Sequence, residues 1–232
     1  MTRVQEIIER LREQARPGQV AGMARFGIVS KGRLGVRMPV LRGMAREIGT
    51  DHTLALDLWR SGFQESRILA ALIDDPGAVD DHQLETWIGA FDSWDVCDQV
   101  CMNLFRRVPA ARAKIPVWAE RPQAFVKRAA FALIACLAVH DKTAADGEFL
   151  DWFPLVRSEA GDGRNYVKKA VSWALRNMGK RNIPLNLAAI ELARELTESD
   201  SKAAHWIAVD VLRELRSKPV QERLSKRSRR RG

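Results

Sequence analysis

Residues 127–137 read Lys127-Arg128-Ala129-Ala130-Phe131-Ala132-Leu133-Ile134-Ala135-Cys136-Leu137. From Ala129 onward no position is polar, so on a helix turning about 100° per residue the run is apolar on every side. Such a helix has to be enclosed by others, and the segment predicts a buried helix over 122–139. Outward from it, apolar residues recur at spacings of three and four in both directions, with no convincing alternation. The pattern predicts further helices at 2–15, 39–48, 51–60, 64–74, 80–91, 94–107, 109–119, 146–156, 165–179, 183–197 and 201–216. Twelve helices make six pairs of roughly 35 to 40 residues each, the size of HEAT-like repeats. The reading is an all-α, right-handed solenoid with a long concave face able to cradle a duplex, formed by one domain over 1–217. An irregular helical bundle is the alternative, because the pairs show little self-similarity.

Local signals set the boundaries. Thr2-Arg3-Val4-Gln5 is a capping-box sequence, Pro39 suits a first turn, and Gly49 suits a helix end. Five glycines, at 18, 22, 27, 32 and 35, predict a long ordered loop over 17–38. After Lys218 the apolar pattern stops, so 218–232 is expected to be a disordered basic tail.

The formal net charge is +9, of which Lys226, Arg227, Arg229, Arg230 and Arg231 supply five. That balance favours a polyanion partner without naming one. Cys97, Cys101 and Cys136 lie in helical apolar stretches, there is no CxxC, and the four histidines are scattered, so free buried thiols are expected and no metal or other cofactor. The first residues carry charge where a signal peptide needs an apolar run, and no stretch reaches the roughly 20 apolar residues that span a bilayer. These features predict a cytoplasmic protein with no membrane contact and no demand for more than a monomer.

Between Arg164 and Arg181, Val167, Val171, Ala174 and Met178 form one narrow apolar stripe. Lys169, Trp173, Arg176 and Lys180 form another, nearly opposite. Either a neighbouring helix covers Trp173, or the indole is a stacking platform among phosphate-binding cations. From Arg157 to Arg181 seven bases (157, 164, 168, 169, 176, 180, 181) face two acids (159, 162). This excess makes Arg164, Lys168, Lys169, Arg176, Lys180 and Arg181 candidate DNA-binding residues.

Asp92 or Ser93 caps a helix on which Asp98 follows Trp94 by one turn. Asp98 is either solvated or held against an aromatic wall at the edge of the apolar face. Arg128 opens the buried helix, beside the small residues Ala124, Ala132 and Ala135. Its guanidinium keeps its charge and therefore needs an internal acid, a DNA phosphate, or Asp98 itself.

Together these pieces resemble the DNA alkylation repair family, the AlkD-like glycosylases built of HEAT-like repeats. The resemblance rests on Ser93-Trp94-Asp95-Val96-Cys97-Asp98, Lys127-Arg128-Ala129-Ala130 and Val167-Lys168-Lys169-Ala170-Val171-Ser172-Trp173-Ala174-Leu175-Arg176. Phe26-Gly27-Ile28, Leu34-Gly35-Val36, Pro39 and Leu41-Arg42 resemble the family's N-terminal signature. Carried over by motif, the family's catalytic residues fall on Trp94, Asp98, Arg128 and Trp173. The resemblance implies a monofunctional glycosylase that releases N3- and N7-alkylpurines from double-stranded DNA. Some relatives of this fold bind DNA without excising bases, so a non-catalytic binder of branched or distorted DNA is the second expectation. A HEAT-like scaffold for protein partners is a third, and would show an apolar groove in place of the Lys169–Lys180 stripe.

Overall fold

The computed structural model describes residues 2–29 and 31–229, and among them every regular element is helical. The helices pack as two compact units, residues 1–112 and 113–232. The first contains α1 (Arg3–Glu13), α2 (Pro17–Met23), α3 (Met38–Ile48), α4 (His52–Arg60), α5 (Gln64–Ile73), α6 (Asp81–Gly89) and α7 (Trp94–Asn103). The short α8 (Pro109–Ala113) lies at the boundary. The second contains α9 (Ile115–Glu120), α10 (Ala124–His140), α11 (Asp146–Leu150), α12 (Phe153–Glu159), α13 (Asn165–Gly179), α14 (Ile183–Thr197), α15 (Lys202–Leu215) and α16 (Lys218–Arg229).

All twelve expected helices are present, and the boundary signals of α1 and α3 act as the sequence predicts. Thr2 and Gln5 form the capping box, Pro39 sits in the first turn of α3, and Gly49 ends it with φ 77°. Three expected helices are interrupted: that over 94–107 ends at Asn103 and is followed by a 3₁₀ turn, Phe105–Arg107, and those over 109–119 and 146–156 are each broken in two. Pro116 and Pro154 restart the chain at α9 and α12, because proline has no N–H to continue a helix and its ring collides with the preceding turn.

The loop expected over 17–38 contains α2 and a 3₁₀ turn, Ala24–Phe26. Pro17 starts α2 with its φ already helical, but none of its residues is fully buried, so no apolar period betrays it. The tail expected to be disordered from 218 is helical through Arg229. Val220 and Leu224, one turn apart, are buried, and Gln221 donates to Asn186 and to the Leu215 carbonyl. Two apolar residues among many cations were too narrow a stripe to read. Arg230 and Arg231, also assigned to the tail, lie outside the described residues.

In the first unit α5 packs against α3, α4 and α7. In the second, α10 is buried from Val126 through Ala138, as its all-round apolar surface requires, and it packs on α9 and α13. α13 in turn packs on α14 and α15, which contact each other. Gly179 makes the closest approach, since a β-carbon there would stand 2.5 Å from Leu215 Cδ1 and 2.9 Å from Ala189 Cβ. The repeat that the sequence hides shows in the polar contacts. Arg128 to the Tyr166 carbonyl, Arg157 to Glu195, Ser172 to Asp210 and Arg176 to Glu214 each join residues 38 apart. Cys97, Cys101 and Cys136 are buried, and no helix among the described residues is long and apolar enough to cross a membrane.

Candidate functional site

In the first unit the candidate residues stand on the first turns of α7. Ser93 takes the cap position without capping, and its hydroxyl donates to Asp95 Oδ1 at 2.5 Å. Asp95 does more than complement the helix dipole, because the buried Arg33 side chain pairs with it at 2.8 Å and donates from Nε to the Val29 carbonyl. Glu65, 1% exposed, accepts the backbone N–H of Leu34 at 3.0 Å and of Gly35 at 2.7 Å through its two carboxylate oxygens. Gly35 has φ 79°, and a β-carbon there would sit 2.6 Å from the Arg16 carbonyl oxygen, so the loop closes over α2 only without a side chain. Gln64 donates to Asp92 and its backbone N–H to the Gly32 carbonyl. The glycine-rich segment is therefore a strapped loop fixed to the starts of α5 and α7 by buried polar contacts.

That strap orients Trp94. Its indole Nε1 donates to the Phe26 carbonyl at 3.0 Å, which fixes the ring plane, while the Phe26 side chain is 73% exposed. Trp94 and Asp98 are both half-buried and one turn apart, as their spacing requires. Arg33 and Glu65 were not singled out from the sequence, and Ser93 was read there only as a possible helix cap. Their partners lie 30 to 64 residues away, and only the Gly35 neighbourhood gave a local hint.

In the second unit Arg128 lies near the start of α10, 6% exposed, and donates from Nη1 to the Tyr166 carbonyl at 2.7 Å. Lys127 beside it is held by Glu159 and, at 3.7 Å, by Asp162. The two acids counted between Arg157 and Arg181 are thus both engaged. The Arg164 hydrogen bonds, working against burial, hold the Asp162 carboxyl below the usual aspartate range.

The stripe on α13 differs from expectation. Lys169 is exposed and Trp173 half-buried, but Arg176 and Lys180 face α15. Arg176 pairs with Asp210 at 3.3 Å and with Glu214, and Lys180 pairs with Glu214 at 2.6 Å. Burial by itself would raise the Glu214 carboxyl, but the hydrogen bonds from Lys180 and Arg176 outweigh it and hold Glu214 below the ordinary glutamate range. Arg164 is paired with Asp162 at 2.6 Å. Arg181 donates to the carbonyls of Ala138, Asp141 and Ala144 and lies 4.0 Å over the Phe149 ring, so it closes the end of α10. Lys168 sits 4.9 Å over the ring of Trp206, a second indole on α15 that is 38% exposed. Of the six cations proposed from the sequence, Lys168 and Lys169 keep their charge away from a described carboxylate. The other four are held by acids or backbone carbonyls.

A family model described as "DNA alkylation repair enzyme" matches residues 7–204. No curated protein matches the chain. Among solved structures, the chain is similar to one from "a new family of proteins related to the HEAT-like repeat DNA glycosylases with affinity for branched DNA structures", with TM-score 0.76 and 18% identity over 92% of this chain and 96% of that one. At that identity the likeness shows the fold, which is HEAT-like. A designed armadillo repeat protein in complex with the peptide (KR)4 follows at TM-score 0.39 and 13% identity, covering 80% and 79%, and is too distant to bear on the fold.

Proposed function

Because the chain belongs to the DNA alkylation repair enzyme family, we propose that it is a monofunctional glycosylase that hydrolyses the N-glycosidic bond of cationic N3- and N7-alkylpurines in double-stranded DNA. The observation that carries this reading is the half-buried Asp98, one turn after an indole whose ring plane is fixed through the Phe26 carbonyl. Phosphate binding alone gives no reason for a carboxylate there.

Alkylation makes the purine a cation that departs as a neutral base, carrying the electron pair of the C1′–N bond, so no strong general acid is needed. The sugar is left with oxocarbenium character, which a carboxylate stabilises. In this mechanism Asp98 supports that charge and takes the proton of the water that adds to C1′. Trp94 and Trp173 offer ring faces to the cationic nucleotide. Arg128 holds a phosphate, and Lys168 and Lys169 add sequence-independent contacts to the backbone. None of these steps uses a cofactor, and no lysine is assigned as a Schiff-base nucleophile, so the strand stays intact. The test is release of N7-methylguanine or N3-methyladenine from methylated duplex DNA by the purified protein. Asp98→Asn should slow release by about 10²-fold, and equal rates would remove Asp98 from the mechanism.

The second reading is a non-catalytic binder of branched DNA, favoured by the affinity described for the similar solved structure. Salt-dependent binding to junctions with no release of any alkylated base would select it.

A further inference from the structure

In the second unit a cavity of about 770 Å³ opens between the end of α10, the turn joining α13 to α14, and α16. Five cations line it: Lys142, Lys180, Arg181, Arg223 and Arg227. The lining holds one carboxylate, Asp146, and that accepts both its bonds from the Asn182 amide, at 2.7 and 2.8 Å. Glu214 offsets Lys180 from outside the lining.

Part of this charge has a local purpose. Lys142 donates to the Val139 carbonyl, Arg227 to the Lys180 carbonyl, and Arg181 to three carbonyls in and just after the last turn of α10, which is how cations close helix ends. Capping does not account for the convergence. Arg223 is exposed and has no carboxylate partner among the described residues. Burial, then the charges of Arg227 and Arg181, hold the Lys142 amine below the ordinary lysine range, so like charges are pressed together at one opening. The start of α14, a 15-residue helix, opens on the same space at Ile183 and Pro184 and adds the positive end of its dipole.

We propose that this cavity binds consecutive phosphates of a DNA strand, as a second backbone contact away from the lesion chemistry. The proposal rests on the DNA-repair reading above. None of Trp94, Asp98, Arg128 or Trp173 lines the cavity, and its breadth exceeds what one phosphate fills. The helical tail is what creates it, because α16 carries Arg223 and Arg227 to Lys142.

The experiment measures binding of the full chain to undamaged labelled duplex from 50 to 300 mM KCl, with base release from methylated duplex measured separately at saturating protein. Each phosphate contact contributes about 0.9 to the slope of log K against log salt. The combined variant Lys142→Gln, Arg223→Gln, Arg227→Gln should therefore flatten the slope by about 2 to 3, and the single Arg223→Glu, on an exposed side chain, by about 1. Base release at saturation should match wild type. Unchanged slopes in both variants, with wild type still bound, overturn this site and leave the glycosylase reading intact. Loss of base release at saturation overturns its separation from the chemistry. A wild type with no salt-dependent binding sinks the DNA reading, and this site with it.

Discussion

Glu65→Gln keeps the shape of a side chain that is 1% exposed and removes its charge. In the wild type one carboxylate oxygen accepts from Leu34 N and the other from Gly35 N, and Arg33 stands 4.0 Å away. A glutamine has one oxygen, so one of the two backbone donors must face an NH₂ group. A hydrogen bond to a charged group contributes about 1.5–3 kcal/mol, and a buried donor without an acceptor costs about 1–3 kcal/mol. Losing one such bond and weakening the other predicts destabilisation of about 2–4 kcal/mol, a large part of a typical domain's stability. Urea unfolding gives the global figure, and amide exchange at Leu34 and Gly35 reports whether the strap opens locally. A loss below about 1 kcal/mol, with both amides protected as before, would refute the claim that Glu65 holds the loop that orients Trp94.

Glu214→Gln should leave Arg176 and Lys180 with less opposing charge, raising DNA affinity and steepening its salt dependence if α13 meets the duplex; unchanged anisotropy curves would separate that face from DNA. The same variant reads out in acid. The folded-state pKa of Glu214 is depressed, so its stabilising contribution is present above the unfolded glutamate value and is lost as pH falls through the lower folded one. The wild-type advantage over Glu214→Gln in Tm should therefore shrink between pH 6 and pH 3. Gly179→Ala gains helix propensity of about 1 kcal/mol but forces a methyl against Leu215 and Ala189, and overpacking of about 1–3 kcal/mol should lower Tm. A raised Tm would show that α14 and α15 yield easily.

The helices were legible where burial writes a period into the chain. α10 announced itself because it is enclosed on every side, and α13 because Val167, Val171, Ala174 and Met178 must face inward. α2 was not, because it buries nothing completely, and α16 was obscured because Val220 and Leu224 are its two buried residues. Among the candidate residues, the Trp94–Asp98 pairing follows from helical spacing alone. The commitment of Arg176 and Lys180 does not, since Asp210 and Glu214 lie more than thirty residues downstream on another helix. A count of charges along one segment measures what the chain carries, and the ion pairs determine what it presents. The same distance hid Arg33 from view until Asp95 was seen beside it.

The four polar contacts that join residues 38 apart also bear on how this protein can vary. Each link reaches one interval onward and no further, so a fault in α15 loosens its grip on α13 without reaching α10 directly. An insertion inside an interval would disturb only the links that span it, and one confined to a loop leaves even those in place. Whole 38-residue blocks would keep the step, and the array can lengthen or shorten by such modules while each surviving joint stays as it is.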